Sequence, residues 1–138
     1  MPELEIILTG INVLDTEGAK IGFLAWEGDS SLAVNEQLTI NGNALENLPL
    51  NPADNAFNGT NSFTGQTDLF NMDIDVYDIE NNINIGDTSA IIELTSNVDI
   101  VLVNSIVTVL NSQLPDATIY IDNVLNICAS NVLTVDFT

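Results

Sequence analysis

At 138 residues the chain has the length of one domain. It is 46% hydrophobic but only 15% charged, with twenty acids against a single base, Lys20, and no histidine, for a formal charge of −19. That balance excludes nucleic-acid binding and binding to anionic membranes, both of which need Lys or Arg, and the aliphatic content exceeds that of a disordered acidic tail. Without histidine, and with Cys128 as the one cysteine, the chain has neither a nucleophilic triad nor a zinc set. Cys128 is either a small buried hydrophobe or half of a bridge to a partner beyond the chain. The opening MPELEIILTG lacks the basic and apolar regions of a signal peptide, so an exported protein would have lost its leader or be part of a longer chain.

Residues 3–9 alternate Leu4, Ile6 and Leu8 against Glu5 and Ile7, which predicts a strand. A loop over 10–18 leads to a second strand, 19–26, with Ile21, Phe23 and Ala25 on one face. Residues 36–40 and 44–46 flank Asn41-Gly42-Asn43, and Asn-Gly is the strongest short hairpin signal. Residues 47–68 are rich in Asn, Pro, Gly and Thr and have no periodicity; a loop of that length is functional or disordered. In it Phe57 and Phe63 are placed to pin the loop to the body of the protein. Residues 69–79 alternate again, Phe70, Met72, Ile74 and Val76 against Asn71, Asp73, Asp75 and Tyr77. Residues 88–110 are the most apolar stretch and predict a hairpin or adjacent pair of core strands, broken at Ser96-Asn97, with a bulge where the alternation slips at Asn104-Ser105. Two more strands are expected over 117–124 and 132–137, after a hinge at Pro115.

About nine short strands with turn signals every 8–12 residues predict an all-β, antiparallel β-sandwich, jelly-roll or immunoglobulin-like. No segment holds a helical period for two turns, and no apolar run reaches the roughly 20 residues needed to span a bilayer. The domain reading is a β-sandwich module over 1–113, followed over 114–138 by a linker and the first strands of a next domain, or by strands exchanged with a neighbour.

Chemistry is sparse. Asp73 and Asp75 project from one strand face about 6–7 Å apart, between the two glycosidase geometries and without surrounding aromatics, so no catalytic residue is assigned. Calcium fits the composition better, since it takes 6–8 oxygen ligands. Its candidate ligands form three clusters: Glu27 with Asp29; Asp54 with Asn55 and Asn58; and Asp73, Asp75 with Asp78. The alternative for each is a solvated acidic face. Asn55, Phe57, Asn61 and Phe63 mark the long loop as a candidate binding loop, and Asn58-Gly59-Thr60 fits a glycosylation sequon.

Five stretches, GAKIGFLAWEGD (18–29), LTINGN (38–43), NPADNAFNGTNS (51–62), DIDVYDI (73–79) and IGDTSAIIELTS (85–96), resemble in order and spacing the C-terminal half of a β-sandwich module. That module occurs in large, adhesin-like surface proteins of Bacteroidetes-type bacteria, many exported by type IX secretion. Residues 114–138 are similar to the opening strands of a cell-adhesion-related immunoglobulin-like domain. The resemblance implies a non-enzymatic extracellular structural or adhesive module that meets neighbouring domains, identical subunits or surface glycans, and it supplies no catalytic residues. A calcium-dependent carbohydrate-binding module built on the loop over 51–68 is the alternative; a sugar site needs an aromatic platform, for which Trp26, the single tryptophan, is the best residue.

Overall fold

The computed structural model describes residues 3–31, 35–97 and 100–112, which hold seven strands and no helix. The strands are β1 (Glu3–Thr9), β2 (Val13–Trp26), β3 (Gln37–Ile40), β4 (Asn43–Ala44), β5 (Met72–Asp78), β6 (Ser89–Thr95) and β7 (Leu102–Ser112). They form two antiparallel sheets, one in the order β1-β6-β3-β4 and the other β5-β2-β7. The expected all-β sandwich architecture is thus observed. Residues 113–138, which include Cys128 and the strands expected over 117–124 and 132–137, lie outside the described residues.

The core forms where the alternating apolar faces of the two sheets meet. Ile21, Phe23 and Ala25 of β2 face Leu38 and Ile40 of β3 and Ala90, Ile92 and Leu94 of β6, all of them buried. Phe23 sits at the aromatic centre, edge-on to Phe57 at 5.1 Å and stacked on Tyr77 at 6.0 Å. The Asn41-Gly42 turn between β3 and β4 takes positive φ at both residues, 50° and 76°, as a type I′ hairpin requires.

Three expectations need correction. The loop placed over 10–18 shortens to 10–12, because β2 begins at Val13, opposite Ser112, and absorbs the polar stretch through register shifts at Asp15 and Lys20. The two halves of 88–110 are not a hairpin or neighbours: β6 pairs with β1 and β3, while β7 pairs with β2 in the other sheet. β7 is also not a core strand, since no residue in it is fully buried. The bulge is present: Leu24 pairs with Ser105 and Ala25 with Val103, leaving Asn104 as the extra residue.

Candidate functional site

β5 has an inverted polarity. Its half-buried side carries Met72, Ile74 and Val76, and its buried side carries Asp73, Asp75 and Tyr77. The acidic face that sequence alone left as a candidate solvated surface is therefore interior, with Asp73 and Asp75 at 0% and 1% exposure. Burying a carboxylate is costly unless its oxygens find donors, and the loop beside β5 supplies them. Asp73 Oδ1 accepts three successive backbone N–H groups, from Asn58 at 2.9 Å, Gly59 at 2.7 Å and Thr60 at 3.1 Å. Gly59 takes φ +74°, which lets the three N–H groups converge as an anion-binding nest. Asp75 Oδ2 accepts from Thr60 Oγ1 at 2.8 Å and Asn51 Nδ2 at 3.2 Å. Asn58 Oδ1 shares the same two donors, and Asn58 Nδ2 closes onto the Leu50 carbonyl at 2.9 Å.

The far oxygens, Asp73 Oδ2 and Asp75 Oδ1, accept no hydrogen bond from the described residues. Asp73 Oδ2 instead lies against Gly28: a β-carbon placed there would stand 2.0 Å from it and 2.8 Å from the Phe57 carbonyl oxygen. Burial pushes the Asp73 carboxyl up to about 6; the N–H groups of Thr60 and Gly59 oppose the rise and the Asp75 charge adds to it. Burial raises Asp75 too, against the bonds from Thr60 and Asn51. Tyr77 is raised by its own burial first, then by the charges of Asp75 and Asp73. Enclosed in this way, the pair works as a polar knot that fastens the long loop to β5. Backbone pairing extends the fastening, with Ile74 N donating to Thr60 O and Ser62 N to Ile74 O.

The other predicted site residues disperse. Asp78, the third member of its cluster, faces outward and pairs with Lys20. Asp29 accepts from the N–H and hydroxyl of Ser31, which hold its carboxyl below the usual range. Glu27 accepts from Asn71. The side chain of Asp54 is exposed, whereas Asn55 is buried and donates to the Ser30 carbonyl. Among the described residues no three acid side chains gather as a metal-ligand group. An open cleft of about 350 Å³ does bring Asp29 and Asp68 beside Asn58 and Asn71. Phe57 pins the loop as expected, but Phe63 is 72% exposed, above an Asn61 whose Oδ1 accepts from the N–H groups of Phe63 and Thr64. The sequon asparagine, Asn58, is 6% exposed and bonded, so it offers no acceptor for a glycan in the folded chain.

Asn51, Thr60 and Gly28 complete the knot, and none of them was a candidate from sequence. The signal for Asn51 and Thr60 was the dense run NPADNAFNGTNS, too rich in amides to be a mere spacer; Gly28 lies outside that run.

The other notable feature is a pair of sheet edges. Among the described strands β1 ends one sheet and β7 ends the other, and between them runs a groove of about 330 Å³ lined by Leu4, Ile6, Leu8, Val103, Ile106 and Thr108, among others. Trp26 stands at the end of β2, 43% exposed, opposite Met72 and Leu102. Among the described residues no helix is long and apolar enough to cross a membrane. Comparison with family models, curated proteins and solved structures finds no match to this chain.

Proposed function

We propose that the chain is a non-enzymatic structural module of a bacterial surface protein or fibre, joined to neighbouring domains or copies by β-strand pairing. The observation that supports this reading is the groove between β1 and β7, where apolar inner-face side chains of both edge strands stand half-covered. An unpaired strand edge is a template for another strand, and a groove lined by alternate apolar residues accepts the partner's side chains. Size-exclusion chromatography with light scattering tests it. Oligomers or polymers that grow with protein concentration are the expected result, and a monomer up to about millimolar concentration (the weakest binding usually counted, ~4 kcal/mol) overturns it.

Exposure of Trp26 favours a second reading, a carbohydrate-binding module, because a sugar platform needs an accessible aromatic face. Quenching or a blue shift of Trp26 fluorescence on titration with oligosaccharides would select this reading.

With −19 charges the fold is strained by self-repulsion, which counter-ions relieve. Added salt is therefore expected to raise the melting temperature. Calcium and magnesium at equal ionic strength separate screening from a site: a larger shift with calcium assigns a site, for which the Asp29–Asp68 cleft is the place to look, and equal shifts leave screening alone.

A further inference from the structure

We propose that β7 is a self-association edge, pairing antiparallel with β7 of a second copy to join two three-stranded sheets into one of six. The inference rests on the reading of the chain as a strand-pairing module and names the strand and the partner.

Charge selects the strand. Every other strand longer than four residues carries acids: Glu5 in β1, Asp15 and Glu17 in β2, three aspartates in β5, and Glu93 in β6. β7 reads LVNSIVTVLNS, eleven residues with no ionisable group. On a chain with twenty acids and one base, most edge-to-edge contacts would set like charges opposite one another, which is destabilising. β7 is the long edge where two copies can meet without that opposition.

Edge protection points the same way. At the other side of the same sheet, β5 is sheathed by the loop: Thr60 and Ser62 pair with Ile74, and Ser62 Oγ accepts from Val76 N at 2.8 Å. The second edge of β7 pairs with no described strand. It carries none of the usual guards, having no lysine and no proline, and its one bulge lies near its start, at Asn104. From Ser105 to Ser112 the strand is regular in its burial alternation, with Val107 and Val109 exposed at 62% and 55% on the outer side. Val107 stands midway along β7, so a dyad there sets its side chain opposite its own copy, the isologous arrangement of a two-fold dimer.

The test compares the full chain with Val107→Asp and, as a control on the other edge, Ile7→Asp; both positions are more than half exposed, so each variant is expected to fold. Light scattering is run in about 0.5 M sodium chloride, where screening lengths are well under 8 Å, alongside backbone amide exchange at low and high protein concentration. The expected result is a dimer whose affinity Val107→Asp weakens about tenfold or more. Ile7→Asp should leave it intact, and the outward β7 amides, those not bonded to β2, should slow their exchange only as the dimer forms. Loss of assembly in Ile7→Asp alone overturns the β7 proposal but leaves a strand-pairing module acting through β1. A monomer with these outward β7 amides protected at every concentration also overturns it, because the edge is then covered within one chain. A monomer whose outward β7 amides exchange rapidly overturns this proposal and the strand-pairing reading together.

Discussion

Gly28→Ala should be among the most damaging single substitutions in the protein, lowering stability by about 3 kcal/mol or more, toward the upper end of overpacking costs. A methyl group at this position would stand 2.0 Å from Asp73 Oδ2 and 2.8 Å from a main-chain oxygen, that of Phe57. Neither neighbour can retreat cheaply. Asp73 is pinned through its other oxygen by three N–H groups, and the Phe57 carbonyl belongs to a residue at 0% exposure. Gly10→Ala is the natural comparison. It has open space around it but φ +74°, so it should cost only about 1 kcal/mol, from backbone strain alone. Urea unfolding of the two variants separates crowding from strain. Equal losses would show that the Gly28 contact can relax. Adding Asp73→Ala to Gly28→Ala should cost less than the sum of the two single changes, because they act on the same contact.

Asp73→Ala alone should also cost about 3–5 kcal/mol, since it strands three buried N–H donors at once. Asp73→Asn keeps an acceptor for the nest and is expected to be the milder change, with its effect appearing in pH dependence. The carboxyl of Asp73 is raised to about 6 in the folded chain from an ordinary value of 3.8. The folded state therefore holds its proton more tightly than the unfolded state. That contribution is fully present below 3.8 and is lost as pH rises through 6. At about 1.4 kcal/mol per pH unit, the swing is on the order of 2–3 kcal/mol. Surface repulsion also weakens on acidification, so the wild-type curve alone does not isolate the residue. The difference between wild type and Asp73→Asn across pH 4 to 8 does, and it should shrink or reverse on the alkaline side. A constant difference would assign the pH dependence to the surface charge.

Much of the fold was legible from local pattern. The alternation of Ile21, Phe23 and Ala25 gave β2 its buried face, and Ala90, Ile92 and Leu94 did the same for β6. Asn41-Gly42 announced its hairpin, and the slip at Asn104 marked a real bulge. What failed was whatever depends on distant neighbours. In residues 69–79 the alternation defined two faces, but hydropathy favours the aliphatic one for the interior. The structure buries the aspartates instead, because residues 51–60 bring donors to them. Likewise, β7 is apolar on both faces, and such a strand looks central; its position at an edge of the described sheet is a property of the sheet order, which no local window contains. Within the cluster on β5 the pleat separates sequence neighbours: Asp78 lies an odd number of residues from Asp73 and from Asp75, and so falls on the opposite face.

The strand order also sets a timetable for the nascent polypeptide. β1 finds its partner only when β6 exists, Glu3 opposite Thr95, and the start of β2 waits for the end of β7, Val13 opposite Ser112. At ribosomal speeds of 5–20 residues per second, about 5–20 s separate the synthesis of those first two partners. Throughout that interval neither sheet is complete, and β1 stays unpaired and open to whatever handles unfolded polypeptides.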